Sequence, residues 1–391
     1  MALNTAQPPA EADERPKPKK VERMFYLDNL RLLFTILVIL HHVCLTYTGE
    51  QGWYYYDRIG DPFTNLVMIL LMTINRNWVL HCFFLISGYF TPGSLDKKGL
   101  WIYIKERLIR IGIPLAIFAV FIRPPLYYFL HRDEFSHKYS FIESMYTLKF
   151  VAPGPAWFLE VLLVFSIIYG VIRAFKKPLV PSERHERPFP RNSTIFIFIF
   201  ALAVFTFIFR IFLPADKEIF HLRLGNYADY VAFFAVGILG YRNKWLSKLN
   251  DRTGLQWTII TAIAMVVYSI FVISSWVSHE GLAYLRGGIS VKTFIATWLG
   301  ACIAVGTSIS LIYVFRKFVN VQPSLIKAMT AEAYAVFIFH SPIVVAVAYS
   351  IHNLALWPFL KFAGAFISST ILCFLICHYV VRRIPFADRI L

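Results

Sequence analysis

An arginine and a histidine lie inside the first long apolar segment of the sequence, LDNLRLLFTILVILHHVCLTY, where ionisable side chains are costly. Eleven residues at about 100° each bring His42 back to within roughly 20° of Arg31 on a helix, about 16 Å further along its axis. His41 is rotated about 80° from that face and is the weaker partner. A central arginine costs at least about 2.5–3.5 kcal/mol in a membrane helix and usually faces a protein interior or an aqueous cavity. The spacing therefore predicts a functional pair.

The same pair also permits a structural interpretation. Arg31 could snorkel to the membrane surface or pair with Asp28 one turn earlier. His42 could be a neutral, hydrogen-bonded core residue. The first apolar segment, taken alone, leaves both interpretations open.

Two further stretches place polar residues near a predicted cytoplasmic boundary. In HCFFLISGYF, Ser87 and Gly88 interrupt an aromatic run, where small residues permit close approach of a ligand or simply of another helix. In KERLIRIGIPL, Arg107 and Arg110 lie three residues apart on one helical face. Arginine forks suit phosphate groups, so this pair predicts a polyanion clamp, with ordinary topological charge as the alternative.

Two other apolar stretches carry candidate residues. PGPAWFLEVLLVF places Trp157 at an interface, where a belt residue is the simpler interpretation, and Glu160 one turn into the apolar run. A carboxylate in hydrocarbon should either be protonated or find a cation, which favours a polar cavity at Glu160. In AEAYAVFIFHSPIVV, Tyr334 and His340 are six residues apart and hence on different faces. Each of them alone also fits a satisfied core residue.

The composition is that of an integral membrane protein. The 391 residues are 58% hydrophobic and 16% charged, and apolar runs recur along the whole chain. The net charge of +16 is spread between these runs, which favours membrane topology over nucleic-acid binding. The eleven histidines are scattered, so no metal site is predicted. Packing is the expected role of the five cysteines, Cys44, Cys82, Cys302, Cys373 and Cys377.

The apolar runs predict an all-α, polytopic fold with about ten transmembrane helices, of which the sixth is short. The predicted spans are 28–48, 66–91, 108–130, 157–173, 193–213, 228–241, 256–277, 290–315, 331–350 and 357–381. Lysine and arginine concentrate in alternate loops, which places both termini in the cytoplasm. Residues 1–23 read as a disordered cytoplasmic tail, and residues 24–391 as one transmembrane domain. The first helix follows a charged tail and is long enough to span, so it is expected to stay in the mature protein.

Six stretches, in this order, resemble motifs of the acyltransferase-3 family of membrane O-acyltransferases, including its glucan-succinylating branch. Arg31 and His42 fit the family marker of an arginine, ten intervening residues and a histidine. The other five are FFLISGYF, RLIRIGIPL, WFLEVLL, YVAFFAVGILGYR and AYAVFIFHSPIV. The likeness covers about residues 24–381. His81 stands where an apolar residue is expected, and the hydrolase-like domain fused to some members is not seen, which puts transfer through a second domain in doubt.

The resemblance implies a multi-pass enzyme of the plasma (inner) membrane. It would transfer an acetyl or succinyl group from cytoplasmic acyl-CoA, a co-substrate rather than a permanently bound cofactor, to a hydroxyl of a glycan or other sugar-containing acceptor. His42 suits the general base, and Arg31, about three turns away on the same face, is the second catalytic candidate. Arg107, Arg110, Arg31 and Ser87 are expected to hold acyl-CoA. Glu160, Trp157, Tyr334 and His340 are expected at the acceptor.

Three alternatives remain open at this level. The acyl group could pass through an acyl-histidine intermediate instead of moving directly. The chain could instead be a secondary transporter or translocator that uses the same buried charges without cleaving a thioester. It could also be a structural partner of glycan-synthesis proteins, in which case replacing His42 would preserve function. The identity of the acyl group, the acceptor and the oligomeric state are not determined by the sequence.

Overall fold

The computed structural model describes residues 24–50, 52–132, 140–146, 152–175, 186–219, 221–385 and 387–390. Within these ranges the regular elements are helices, as predicted. The α-helices are α1 Phe25–Thr48, α2 Pro62–Arg76, α3 Val79–Lys98, α4 Leu100–Arg107, α5 Ile113–Ile117, α6 Arg123–Leu130, α7 Phe141–Tyr146, α8 Trp157–Ala174, α9 Asn192–Phe212, α10 Tyr227–Arg242, α11 Trp245–Lys248, α12 Asp251–Val277, α13 Val291–Phe318, α14 Ser324–Ser350, α15 Pro358–Tyr379 and α16 Ala387–Ile390. Two π-helical turns, Leu108–Gly112 and Phe118–Ile122, join α4, α5 and α6. Short 3-10 turns occupy Gly154–Ala156, Leu224–Asn226, Ala283–Leu285 and Val381–Arg383. The predicted tail, residues 1–23, lies outside the described residues.

Nine helical segments of the described chain are long and apolar enough to cross a membrane, which confirms the predicted polytopic class. They are Phe25–Thr48, Pro62–Lys98, Leu100–Leu130, Gly154–Ala174, Asn192–Phe212, Asp251–Val277, Val291–Phe318, Ser324–Ser350 and Pro358–Arg383. The predicted sixth span, 228–241, forms α10, which has only 16 residues and is not among the nine. A helix of that length reaches about 24 Å, less than the roughly 30 Å of a hydrocarbon core.

The helices form a bundle with a buried centre and an apolar outside. The helices α1, α13 and α14 are the most buried, and α1 packs along α14. Large apolar side chains such as Phe200 and Phe205 on α9, and Ile263 and Val266 on α12, remain exposed on the outer faces. Such surfaces suit contact with lipid, because apolar side chains lose nothing by facing hydrocarbon.

Side-chain caps set where several helices begin. Asp61 accepts a hydrogen bond from the Thr64 backbone N–H at 2.7 Å, which satisfies a free donor at the start of α2. The hydrogen bonds from the Thr64 hydroxyl and backbone also lower the pKa of the Asp61 carboxyl. Asn250 and Ser290 cap α12 and α13 in the same way. Helices α2 and α12 begin four and five residues before the predicted spans 66–91 and 256–277, because their capped first turns are polar and precede the apolar runs, whereas α13 begins within one residue of the predicted start.

Two glycines allow α3 and α10 to pack backbone against backbone. A Cβ atom on Gly88 would stand 2.2 Å from the carbonyl oxygen of Phe234, and one on Gly237 would stand 2.1 Å from that of Leu85. Neither distance is compatible with a side chain, so the helix pair depends on both glycines. Of the two roles that the sequence left open for the Ser-Gly pair, Gly88 therefore has the second, close packing of another helix.

We expect Gly88→Ala to destabilise the protein by about 1–3 kcal/mol or more, because the methyl group must push two backbones apart. The measurement is thermal unfolding of the purified protein in detergent. Gly364→Ala is the matched control, since a Cβ there meets no atom within 4 Å. That control should be neutral or stabilising by about 0.5–1 kcal/mol. Equal melting temperatures for the two variants would contradict the packing role of Gly88.

Candidate active site

Helices α1 and α14 bring two histidines together that are 298 positions apart in the chain. The Nε2 atom of His340 lies 3.2 Å from the Nδ1 atom of His42, and the ring centroids are 4.7 Å apart. The Nδ1 atom of His340 lies 2.7 Å from the carbonyl oxygen of Phe337. The Nδ1 atom of His42 also lies 2.8 Å from the carbonyl oxygen of Val38. His340 is buried, whereas His42 is only partly buried.

The partners in this hydrogen-bond chain indicate which ring nitrogens carry the protons that are donated. A carbonyl oxygen only accepts, so the Nδ1 of His340 carries the proton that it donates to Phe337, and its Nε2 is an acceptor. The Nδ1 of His42 then carries a proton shared between the Val38 carbonyl and His340. The basic nitrogen of His42 is therefore Nε2. Hydrogen bonds that fix one tautomer of a histidine are the arrangement that prepares a general base.

The connection after α1 folds back over His42. The indole ring of Trp53 lies 4.5 Å from the His42 ring between centroids, and its N–H donates to the Thr46 hydroxyl at 2.8 Å. Asp57 holds the same connection in place through an ion pair with Lys361 at 2.7 Å. Sequence reasoning missed Trp53 because it lies outside the apolar runs and has no spacing relation to His42. Its indole covers one face of the candidate base.

Arg31 lies at the opposite end of the same helix face. Its guanidinium is 3.2 Å from the Asp28 carboxylate and 4.7 Å from the centre of the Phe90 ring, and 40% of its side chain is exposed. The pairing with Asp28 that the sequence left open is therefore present. Arg107 lies within electrostatic range of Arg31 and stacks over the Tyr103 ring at 5.0 Å. The two guanidinium groups thus concentrate positive charge at one end of the bundle.

Tyr334 joins this arginine end. Its hydroxyl donates to the backbone carbonyl of Arg110 at 2.5 Å, and both Arg107 and Arg110 lie within electrostatic range of it. Arg110 lies in the π-helical turn Leu108–Gly112, a distortion that recurs at functional sites. Ser87 lies one turn before Phe90 on α3, and its carbonyl accepts from the Thr91 hydroxyl at 2.8 Å. The structure therefore groups Tyr334 with the arginines expected at the donor, six residues before His340.

A third group surrounds Glu160 at the start of α8. The Nε2 atom of His221 lies 3.0 Å from a Glu160 carboxylate oxygen, so Glu160 has the polar partner that its position required. Trp157 lies against Tyr227 and Tyr230, with ring centroids 6.2 Å and 5.8 Å away. His221 lies in the connection before α10 and gave no signal in the sequence. Carboxylate, imidazole and aromatic rings together suit a carbohydrate, which offers hydroxyl groups and apolar ring faces.

Within the described ranges, no group of three or more His, Cys, Asp or Glu side chains could hold a metal ion. The five cysteines are free thiols, and all except the half-buried Cys302 are buried. Cys82 lies 3.1 Å from the Ser308 hydroxyl, sulfur to oxygen. These thiols occupy helix contacts, in keeping with the packing role expected of them.

Comparisons with known proteins agree with the family resemblance of the sequence motifs. The profile of the acyltransferase-3 family, described as an acyltransferase domain, matches residues 24–378. Curated relatives include the glucans biosynthesis protein C of Escherichia coli O6:K15:H31 and that of E. coli K12. Each is 22% identical over 339 residues, which cover 83% of this chain and 83% of the relative. No solved structure matches the chain.

Proposed function

Because the chain belongs to the acyltransferase-3 family and is therefore an acyltransferase, we propose that it transfers an acetyl or succinyl group from cytoplasmic acyl-CoA to a glycan hydroxyl. The names of the relatives, which refer to glucan biosynthesis, support a sugar-containing acceptor. The observation that carries the proposal is the chain of hydrogen bonds from Phe337 through His340 to His42. It prepares one ring nitrogen as a base within an apolar bundle.

The proposal includes an orientation in the plasma (inner) membrane. The distribution of lysine and arginine places both termini in the cytoplasm, with ten crossings when the short α10 is included. On this topology α1 runs outward, so Arg31 lies toward the cytoplasm and His42 toward the outer side. The two are about 16 Å apart along the helix. That separation suits a donor that enters from one side and an acceptor that enters from the other.

At the cytoplasmic end the arginines are suited to the phosphate groups of CoA. Arg31, Arg107 and Arg110 supply guanidinium groups that can form charge-assisted hydrogen bonds with phosphate oxygens. The Tyr334 hydroxyl fixes the backbone of Arg110. Ser87 lies on the neighbouring helix, where its hydroxyl could contact the narrow pantetheine arm. The thioester would then point along α1 toward His42.

At the outer end His42 would act as the general base. Its Nε2 removes the proton of the acceptor hydroxyl while the oxygen attacks the thioester carbonyl. A C–O bond forms, the C–S bond breaks, and the proton passes from His42 to the departing thiolate, which leaves as CoA. His340 accepts the Nδ1 hydrogen bond throughout and stabilises the transient imidazolium. Glu160 and Trp157 would contact the sugar, and Trp53 would limit access of water to His42.

The direct test is release of free CoA by purified protein given acetyl-CoA or succinyl-CoA, with and without a gluco-oligosaccharide. We expect release that the acceptor stimulates, and an ester on the recovered glycan by mass spectrometry. Binding of donor and acceptor without release, across both donors, would contradict transferase chemistry and favour a transporter.

We expect the double variant Arg107→Ala, Arg110→Ala to raise the donor KM at least about tenfold with a smaller change in kcat, because two phosphate contacts are lost before the chemical step. The measurement is a steady-state titration with acyl-CoA. The control Lys97→Ala, Lys105→Ala removes two exposed charges from the same boundary. If both double variants behave alike, the arginines serve topology and not donor binding.

A further inference from the structure

A polar cavity of about 40 Å³, separate from the candidate active site, lies between helices α2, α3, α9, α10 and α13. Its lining includes Arg76, His81, Arg210 and Asp229, none of which takes part in the reaction proposed above. His81 and Asp229 are buried, at 6% and 7% exposure. Ionisable side chains in a membrane domain are costly unless they are paired or bind something. His81 is also the histidine that stands where the sequence favours an apolar residue.

The carboxylate of Asp229 is only half satisfied by direct hydrogen bonds. One oxygen accepts from the Thr206 hydroxyl. The other lies 3.7 Å from Nε2 of His81 and 3.6 Å from Nη2 of Arg210. Both distances are slightly longer than a direct hydrogen bond, so this oxygen keeps capacity to accept another one. Asp229, His81 and Arg210 all line the cavity, so a hydroxyl-sized group bound there lies near one acceptor and two donors.

His81 supplies a second unoccupied hydrogen-bonding position. Its Nδ1 atom is buried and has no hydrogen-bond partner within the part of the chain that the structure describes. Buried polar atoms are nearly always paired, so an atom such as this one indicates a missing partner. His81 also lines the cavity, so a polar group bound there lies beside the His81 ring.

The backbone is interrupted at the same place. Helix α2 ends at Arg76 and α3 begins at Val79, so the long span Pro62–Lys98 is broken beside the cavity. Asn77 lies in the break and lines the cavity. Its side-chain oxygen packs so close to Gly300 that a Cβ atom on this glycine would stand only 2.8 Å from it. Broken helices at membrane depth are tolerated where they line a cavity, and they frequently contribute to binding sites.

We propose that this cavity binds hydroxyl groups of a sugar unit of the acceptor glycan, next to the unit that is acylated. The inference rests on the proposed function and adds a second acceptor subsite to it. A hydroxyl group both donates and accepts, so it can donate to Asp229 while accepting from Arg210 or His81. At 10–15 Å³ per water-sized position, the cavity holds roughly three such groups, which fits the hydroxyls at one edge of a sugar and not a whole ring.

Charge and position both favour a neutral ligand from the acceptor side. Asp229 lies 3.6 Å from Arg210, and Glu50 pairs with Arg76 at 2.9 Å, so the two guanidinium groups at the cavity are each matched by a carboxylate. Arg76 also lies within electrostatic range of His41, the neighbour of His42.

Aromatic rings pack between the cavity and the group around Glu160. Tyr230 lies 5.3 Å from the His81 ring and 5.8 Å from the Trp157 ring, between centroids. The cavity is also lined by Ala215 and Asn226, from the connection that faces outward on the proposed topology. On the proposed topology the cavity and Trp157 therefore lie toward the same, outer side of the bundle.

The test compares acceptors of different length. Ala301 lines the cavity, so Ala301→Val fills it without removing a charge. Ala296 lies on the same helix, is equally buried and does not line the cavity, so Ala296→Val is the matched control. For the wild type we expect a KM for a neutral glucotriose at least about tenfold below that for glucose, because hydrogen bonds to charged groups are gained only by the longer acceptor. Ala301→Val should abolish this preference by raising the glucotriose KM, and Ala296→Val should retain it.

A preference for glucotriose that survives in Ala301→Val, in a preparation that elutes and melts like Ala296→Val, would overturn the inference. The absence of any preference in the wild type would overturn it as well. If the wild type releases no CoA from any donor, the proposed function fails, and the cavity is then tested separately by calorimetric titration with glucotriose. Binding weakened by Ala301→Val and not by Ala296→Val would support the subsite without turnover. Equal binding to both variants, or no binding to the wild type, would exclude it.

Discussion

Replacing His42 with alanine is expected to lower kcat for acyl transfer by about 10²–10⁴-fold, the usual contribution of a positioned general base. The donor KM should stay nearly unchanged, because the arginines proposed to hold CoA lie about 16 Å away along α1. The measurement is acceptor-stimulated CoA release over a range of acyl-CoA concentrations. Loss of the base removes a contact made in the transition state, so kcat and kcat/KM for the donor should fall together.

His41 provides the internal control for this result. It is the adjacent histidine, with its ring 5.7 Å from that of His42, but it lies about 80° away from the face shared with Arg31. His41→Ala should retain most of the activity. Normal turnover in His42→Ala would exclude His42 as the base. Equal losses in the two variants would indicate disturbed packing of α1 instead of lost chemistry.

The second large effect is expected at His340, which acts through His42 and is a positioning residue. His340→Phe removes one of the two acceptors for the Nδ1 hydrogen of His42 and leaves the Val38 carbonyl as the other. The lost hydrogen bond is the one that becomes charge-assisted when His42 takes up a proton. We expect kcat to fall about 10- to 100-fold, because a hydrogen bond to a charged group contributes about 1.5–3 kcal/mol. The donor KM should be little affected, and CoA release measures both quantities.

A conservative variant separates this positioning role from simple packing. The amide oxygen of glutamine can accept the same hydrogen bond, so His340→Gln should recover a large part of the activity lost in His340→Phe. Both variants must first show melting temperatures close to that of the wild type, since the site is buried. If phenylalanine supports turnover as well as glutamine does, the hydrogen bond between His340 and His42 does not contribute to the reaction.

For the remaining candidate residues, the sequence predicted some features of their surroundings and not others. The need of Glu160 for a polar partner followed from its apolar surroundings, but the identity of that partner, His221, did not. Tyr334 and His340 were expected together at the acceptor. In the structure the Tyr334 hydroxyl donates to the backbone carbonyl of Arg110, whereas the His340 ring contacts His42. The two side chains therefore lie at different heights along α14. Six residues along a helix amount to about 9 Å, enough to separate a donor end from an acceptor end.

The sequence by itself determined the membrane class, the position of nearly every long helix and the shared face of Arg31 and His42. These follow from the length of apolar runs and the 3.6-residue period, which are local properties. Only the tertiary structure decided that His340 meets His42, that Trp53 covers it and that Asp229 faces His81. Such contacts join positions far apart in the chain, and they depend on which helix faces pack together. Because most faces of a membrane helix are apolar, hydrophobic pattern alone does not specify that choice.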